Sequence, residues 1–379
     1  MKVGLVCPYN ILIGGGVQEC VFALADELER RSHDVVIISP RPRRYDGEPP
    51  KRVRFIGLAA AVKSFHTTAQ ISASAENDAI ETMLDEEEFD VIHFHEPWVP
   101  FVSRQILSRS SACNIATFHA KLPENRMNKT IERVITPYTS SIVRQFDALT
   151  AVSDAATDYV HTLTDRDITI IPNGIDLAKY APRKITAKNY PFKKTKNKKN
   201  ILFVGRLERR KGLKYLLDAF HLLQSEQPDI ALHIVGSGPD ERRLKRYILQ
   251  HNIKAVHFYG YVSEAEKIMM IQSADVFCSP APYGESFGIV LLEAMCLGTP
   301  IVAGDNPGYT AVMKDIGSLS IVNPKNASLL ASRLSLLLDH DELTKLWKKW
   351  AQQYVKQYSY RAIVDQYETL YQQACKKRD

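Results

Sequence analysis

Apolar and polar positions along this chain follow two rhythms. Short continuous apolar runs, Lys2-Val3-Gly4-Leu5-Val6-Cys7 and Asp34-Val35-Val36-Ile37-Ile38-Ser39, read as strands covered on both faces. Between them Val17, Val21, Leu24 and Leu28 fall on one face of a helix over residues 17–30. The alternation continues through strands at Val53-Arg54-Phe55-Ile56, Val91-Ile92-His93-Phe94-His95, Ile115-Ala116-Thr117-Phe118-His119, Leu149-Thr150-Ala151-Val152-Ser153 and Ile168-Thr169-Ile170-Ile171. Helical patterns over 71–88, 98–109, 130–146 and 154–163 separate them. Strand, loop, helix, strand in this order predicts a parallel sheet wound on both sides.

The pattern breaks at Pro172-Asn173-Gly174 and restarts at Asn200-Ile201-Leu202-Phe203-Val204. Further strands follow at 230–235, 256–260, 274–279 and 300–304, each leading through a loop to a helix. Two domains are therefore expected, 1–172 and 200–357, joined by a basic linker over 173–199. From 183 to 199 that linker holds eight Lys or Arg and no acid, as a solvated segment would. A break at Tyr358-Ser359-Tyr360 precedes a last helix, and the segment 358–379 is expected to pack back on the first domain.

Composition narrows the class. At 379 residues the chain is long enough for two domains, and 45% hydrophobic against 24% charged residues is a folded, water-facing balance. No apolar run approaches the length of a membrane span, and Met1-Lys2 leads directly into a strand without a cleavage pattern. Six scattered cysteines show no paired spacing and read as reduced thiols of a cytoplasmic protein. A net charge of +6 leaves anionic substrates, lipid surfaces and nucleic acids open.

The chemistry concentrates in Tyr283-Gly284-Glu285-Ser286-Phe287-Gly288-Ile289-Val290-Leu291-Leu292-Glu293. This stretch reads as a glycine loop entering a helix, whose first turn offers free N–H groups and a positive dipole end to a phosphate. Glu285 and Glu293, eight residues apart, address one side, where sugar hydroxyls need acceptors. A surface helix with an acidic cap is the plainer alternative. Arg206 and Lys211 follow a strand end beside a glycine turn, as either diphosphate ligands or surface charges. His93 and His95 share a strand face and read as hydrogen-bonded histidines lining a cleft rather than a metal pair. His119, at its strand end, is the better candidate for contact with a reacting group, with a backbone-satisfied histidine as the alternative. Asp165-Arg166-Asp167 has the Asp-x-Asp pattern of metal-dependent sugar-nucleotide enzymes but sits in a turn and reads as incidental.

Together these pieces resemble the retaining glycosyltransferases of family 4, over essentially the whole chain, and within them the bacterial phosphatidylinositol α-mannosyltransferases. The resemblance rests on Val6-Cys7-Pro8-Tyr9, Gly15-Gly16-Val17-Gln18, Phe89 through Pro97, Ala116-Thr117-Phe118-His119, Ala151-Val152-Ser153-Asp154, Ile171-Pro172-Asn173-Gly174, Gly284 through Glu293, and Tyr358-Ser359-Tyr360 to Tyr367-Glu368. It implies the GT-B fold, two doubly wound Rossmann-like α/β domains facing a cleft. It also implies a nucleotide-sugar donor, GDP-mannose, bound on the second domain with no cofactor and no metal. Arg206 and Lys211 are then expected to hold the departing diphosphate, with Arg210 beside them and the backbone of Ser286, Phe287, Gly288 and Ile289 assisting. Glu285 would bind the sugar hydroxyls and Glu293 the ribose. Val262, Ser263, Glu264 and Lys267 would surround the base. Gly16 would lie against the donor from the first domain, and His119 would touch the transferred sugar.

For the acceptor, the resemblance implies a phospholipid head group at the inner face of the cell membrane, met by Tyr9 and Gln18. The relatives' Asn-Gly-Ser loop and following Arg are replaced here by Gly57-Leu58-Ala59-Ala60-Ala61-Val62-Lys63-Ser64, leaving Lys63 as the candidate cation. Arg41, Arg43, Arg44, Lys51, Arg52 and Arg54, with Lys121, Arg126 and Lys129, form an alternative basic surface for anionic lipid. No nucleic acid partner is implied. Rival readings are a UDP-hexose transferase with another lipid or polyol acceptor, a nucleotide-sugar epimerase or phosphorylase, and a silent nucleotide-sugar sensor.

Overall fold

The computed structural model describes residues 1–64, 67–72, 77–99, 102–120, 136–186, 188–192, 195 and 197–378, with backbone alone for 60–64 and 67–72. Two compact units result: Met1–Gly174 with Tyr360–Asp379, and Ile175–Ser359.

The first unit is built on an eight-stranded sheet in the order β4-β3-β2-β1-β5-β6-β7-β8. The strands are β1 (Lys2–Val6), β2 (Asp34–Arg41), β3 (Val53–Ser64), β4 (Thr67–Ser72), β5 (Val91–His95), β6 (Cys113–Phe118), β7 (Ala148–Ala151) and β8 (Ile168–Ile170). All neighbours are parallel except the β3–β4 hairpin. Every residue of β5 and β6 is buried, which is why these runs carry no polar alternation. The helix Gly16–Arg30 covers the sheet through Val21, Leu24 and Leu28. Ile363, Val364, Tyr367 and Tyr371 of the helix Tyr360–Arg378 join the same core. Arg31 and His33 tie that helix down at Glu368, the latter at 2.7 Å.

The hairpin is a departure from the sequence pattern. A strand expected to end at Ile56 continues to Ser64, and the helix expected over 71–88 spans only Asn77–Glu87. Gly57, with φ of 72°, sits where the β2–β3 register shifts, and the bulge turns the strand onward instead of ending it. The β-branched residues Val62, Thr67, Thr68 and Ile71 then suit a strand better than a helix.

The second unit holds an all-parallel six-stranded sheet in the order β11-β10-β9-β12-β13-β14. Its strands are β9 (Lys199–Val204), β10 (Ile230–Val235), β11 (Val256–Gly260), β12 (Val276–Ser279), β13 (Ile301–Gly304) and β14 (Ile321–Val322). Helices Leu213–Glu226 and Ala327–Asp339 bury Leu216, Leu217, Phe220, Leu330 and Leu334 against it. The segment read as a solvated linker groups with this unit. Lys184, Lys188 and Lys199 are exposed, but Tyr180 and Phe192 are buried, and Phe192 stacks on His233 with ring centroids 3.9 Å apart. Apolar anchors spaced between charges were hidden by the charge run.

In each sheet the chain reverses its winding at one place, between β1 and β5 in the first and between β9 and β12 in the second. Loops leaving the carboxyl ends of these strands diverge there and leave a crevice where doubly wound sheets bind ligands.

Candidate active site

At the switch point of the second unit, the loop after β9 carries Arg206, Glu208, Arg210 and Lys211, and the loop after β12 carries Glu285. Gly212 lets the two loops touch. Its φ is 72°, and a Cβ there would lie 2.0 Å from the Pro280 carbonyl oxygen. Glu208 is buried between two cations, with Arg206 Nε and Arg210 Nε each 2.9 Å from its carboxylate. Glu285, also buried, pairs through Oε1 with Arg210 Nη1 at 3.0 Å and Lys211 Nζ at 2.8 Å. Two carboxylates thus hold three cations in fixed places, while the Arg206 side chain keeps half of its surface exposed. A preorganised cation needs no rearrangement to meet a phosphate.

The helix Ile289–Cys296 starts beside these groups. Gly288 caps it with φ of 99°, and a Cβ there would strike the Tyr309 ring at 2.6 Å. The Phe287 side chain turns inward against Tyr358, so this residue faces the loop with backbone alone. Ser286, Gly288 and Ile289 stay partly exposed at the positive end of the helix.

Glu293, about one turn into the helix, is buried. Lys267 Nζ and the Tyr180 hydroxyl both lie 2.9 Å from its Oε1, while Oε2 has no partner among the described residues. Burial raises the Glu293 carboxyl, against Lys267 and Tyr180, which lower it. Glu264 receives the Tyr180 hydroxyl at 2.5 Å and Lys267 at 3.0 Å. Burial would raise the Glu264 carboxyl, but Tyr180, Lys267 and Lys179 outweigh it and hold it below its ordinary range. Val262 is partly exposed next to Ser263, whose side chain is committed to a capping box with Glu266. Ser263 therefore has its hydroxyl engaged within the helix start.

The first unit's switch point is nearly uncharged. Gly16 is exposed at the start of the helix Gly16–Arg30, and Gln18 donates to the Asn10 carbonyl at 3.4 Å. Tyr9 follows β1, and burial pushes its hydroxyl up. His93 and His95 on β5 and His119, just past the end of β6, form a buried row. His95 Nδ1 lies 2.8 Å from His119 Nε2, the His93 and His95 ring centroids are 4.3 Å apart, and His93 bonds Tyr371 and Thr117 at 2.7 and 2.6 Å. The pair His93 and His95 is thus hydrogen-bonded but fully enclosed, not lining an open surface. Burial lowers His119 to about 4, against the neighbouring Asn173 side chain, and His93 to about 3. These rings are neutral at pH 7.

Glu96, given no role by the sequence, positions His119. Its Oε1 accepts the His119 backbone N–H at 2.6 Å, and the Trp98 indole donates to its other oxygen. The residue takes φ of 51°, a conformation sparsely used outside glycine. Burial raises its carboxyl to about 7, against the backbone N–H groups of His119 and Ala120. Tyr180 and Glu208 were also missed. Neither stands in a recognisable motif, and only packing brings them to the site.

Near Tyr9 a pocket of about 480 Å³ is lined by Asn10, Leu12, Ile13, Pro42, Arg43, Arg44, Tyr45 and Ala59. Of the basic surface expected there, Arg52 is paired with Asp26 and Glu29, Arg54 with Glu86 and Glu87, and Arg41 is bonded to the Tyr45 carbonyl. Arg43 and Arg44 line the pocket. The Lys63 side chain, Lys121, Arg126 and Lys129 lie outside the described residues. Arg166 of the Asp-x-Asp triplet donates to the carbonyls of Val143, Phe146 and Asp147, which is a structural use. Among the described residues no group of three or more His, Cys, Asp or Glu is placed to hold a metal.

Two family models match the chain: Glycosyltransferase Family 4 over residues 14–179 and Glycosyl transferases group 1 over residues 186–354. The chain is 32% identical to the phosphatidyl-myo-inositol mannosyltransferase of Mycolicibacterium smegmatis, covering 98% of this chain and 94% of that protein. The enzyme of the same name from Mycobacterium tuberculosis strain H37Rv is also 32% identical, over 98% of this chain and 97% of its own length. Among solved structures, sucrose-phosphate synthase from Thermosynechococcus elongatus superposes with a TM-score of 0.75 at 19% identity, covering 98% of each chain. HepE of Anabaena, in complex with UDP-glucose, superposes with a TM-score of 0.72 at 18% identity, covering 98% of this chain and 99% of its own. This chain is a glycosyltransferase of the GT-B fold and belongs to glycosyltransferase family 4.

Proposed function

We propose that this transferase moves mannose from GDP-mannose to the head group of a phospholipid, phosphatidylinositol or a close analogue, with retention at the anomeric carbon. One observation carries the donor half: Arg206, Arg210 and Lys211 converge with Glu285 at the start of the helix Ile289–Cys296, on the switch point of the second unit. The names of the relatives, at 32% identity over nearly the whole chain, support mannose and the inositol lipid.

In this reading Arg206 and Lys211 neutralise the diphosphate as it departs, and the helix start adds its dipole. Glu285 accepts hydrogen bonds from sugar hydroxyls, and the unpartnered Oε2 of Glu293 takes a ribose hydroxyl. Glu264 and Lys267, with the backbone of Val262 and Ser263, face the base. His119 meets the sugar as a neutral imidazole, because burial holds it below the range in which it carries a proton at pH 7. The acceptor hydroxyl attacks on the face from which the diphosphate leaves, and a phosphate oxygen of the donor takes its proton. Arg43 and Arg44, beside exposed Leu12 and Ile13, suit a lipid with an anionic head group. No described helix is long and apolar enough to cross a membrane, and the proposed site of action is the cytoplasmic face of an anionic bilayer.

The test supplies GDP-mannose or UDP-glucose labelled in the sugar, with vesicles containing phosphatidylinositol. Label entering the organic phase from GDP-mannose alone, and only with the inositol lipid, is the expected result. Transfer from UDP-glucose alone overturns the donor assignment, and transfer without the inositol lipid overturns the acceptor.

A further inference from the structure

The segment after Gly174 appeared from sequence to be a linker, yet it delivers a phenol into the donor site. Asp176 Oδ1 accepts the N–H groups of Ala178 and Lys179 at 2.9 and 3.0 Å, which turns the chain and points Tyr180 inward. Tyr180 is only 4% exposed. Its hydroxyl lies 2.5 Å from Glu264 Oε1 and 2.9 Å from Glu293 Oε1. Lys267 Nζ reaches the same two carboxylates at 3.0 and 2.9 Å and donates to the Tyr180 hydroxyl at 3.4 Å.

The arrangement is asymmetric in an informative way. Both donors near Glu293 sit on Oε1, so they fix the rotation of the carboxylate. Oε2 is left buried with no partner among the described residues. Buried polar atoms are normally bonded, and an orphaned carboxylate oxygen in a binding crevice is a vacancy for a donor from a ligand. A hydroxyl has one hydrogen, so with both carboxylates ionised Tyr180 donates to one of them at a time. It thereby links the carboxylate facing the base to the carboxylate facing the ribose.

We propose that Tyr180 is a positioning residue for the donor's nucleoside, locking Glu293 through Oε1 so that Oε2 is presented to the ribose hydroxyls. The proposal rests on the nucleotide-sugar reading above and deepens it. Tyr180 touches no reacting atom, so its hydroxyl acts on donor binding and not on the chemical step. Removing it leaves Lys267 alone on Oε1, which loosens the Glu293 carboxylate and its tie to Glu264.

The experiment compares the wild type with Tyr180→Phe, which keeps the packed ring, and with Tyr180→Met as a second variant lacking the hydroxyl. Binding of GDP and of 2′-deoxy- and 3′-deoxy-GDP is measured by calorimetry, with turnover of GDP-mannose alongside. The expected result is about tenfold weaker GDP binding and a matching rise in KM, with kcat within about twofold. Loss of the ribose hydroxyl should weaken wild-type binding and add little further loss in either variant, because both changes remove the same contact. Equal GDP affinity in wild type and variants overturns the role of Tyr180 and leaves the nucleotide-sugar reading intact. A lower melting temperature with full sensitivity to the deoxynucleotides shows a merely structural tyrosine and also overturns it. A wild type that binds no nucleoside diphosphate overturns both readings together.

Discussion

The two units fold by the same rule and equip their switch points in opposite ways. Between β9 and β12 the loops bring cations and carboxylates into contact, Arg206, Arg210 and Lys211 with Glu208 and Glu285. Between β1 and β5 the corresponding place holds a neutral histidine row and a single raised carboxyl, Glu96. The difference follows from what each half must do in the proposed transfer. A departing diphosphate gains negative charge and needs fixed cations. An incoming hydroxyl gains from shape, hydrogen bonds and exclusion of competing water.

The largest effect that tests this contrast is expected in the second unit. Glu285→Ala should lower kcat/KM by about 100- to 1,000-fold, since it removes a hydrogen-bond acceptor, takes away the carboxylate paired with Lys211 and leaves Arg210 with Glu208 alone. Lys211→Ala should fall in the same range. Circular dichroism should show both variants folded, as Glu285 and Lys211 lie on loops outside the apolar cluster. Steady-state transfer from GDP-mannose is the measurement, and normal turnover in Glu285→Ala removes the donor-site assignment.

A second effect should distinguish the units by acid. His93, His95 and His119 are held below the ordinary histidine range, chiefly by burial. Their unfolded forms take up protons first, so the stability they confer is complete above about pH 6.5 and lost as the pH falls toward 4. His93 and His119 should each cost about 2 kcal/mol between pH 7.5 and 5, and His95 acts in the same direction. Glu96 acts with the opposite sign. Its folded value of about 7 lies above the unfolded one, so its contribution is present below about pH 4.5 and fades as the pH rises through 7. One acid offsets part of three bases, and the first unit should weaken on acidification. The second unit has a comparable buried ring in His233, lowered to about 3. Hydrogen exchange corrected for intrinsic rates should show β5 and β6 losing more protection at pH 5 than β9 and β10. Equal losses in the two sheets would remove the contrast.

The same contrast explains what could be read from the chain. Apolar runs alternating with helical stripes announced both doubly wound sheets, because buried parallel strands have no polar face to confuse the pattern. Glu285 and Glu293 were legible because they stand eight residues apart where a glycine loop enters a helix, a pattern visible in the residues alone. Tyr180 was not, since one aromatic in a lysine-rich stretch looks like any other until Phe192 and Tyr180 are seen buried. Glu96 stood inside a recognised motif, yet its task depends on a turn with φ of 51° that folds it over the His119 backbone. The β3–β4 hairpin was lost for a similar reason, since a single bulge at Gly57 carries the strand onward past its expected end.

The smallest effect concerns the lipid and falls on the first unit alone. Charge counted along the sequence marks six basic residues between Arg41 and Arg54, but pairing separates them. Arg52 and Arg54 are bound to carboxylates at 2.6 to 3.4 Å, and neutralised guanidinium groups attract an anionic surface weakly. Arg43 and Arg44 line the pocket with exposed Leu12 and Ile13. Basic residues near an anionic bilayer contribute about 1 kcal/mol each, so Arg43→Ala with Arg44→Ala should weaken binding to vesicles containing phosphatidylinositol by about tenfold or more. Arg52→Ala should change it by less than about twofold. GDP affinity should be the same in all three proteins, because the cations proposed to meet the donor belong to the second unit. Vesicle sedimentation at two salt concentrations checks this, since the Arg43 and Arg44 contribution is screened at high salt. An equal loss from Arg52→Ala would mean that charge number, and not which charges are left to face the pocket, decides how this unit meets a lipid.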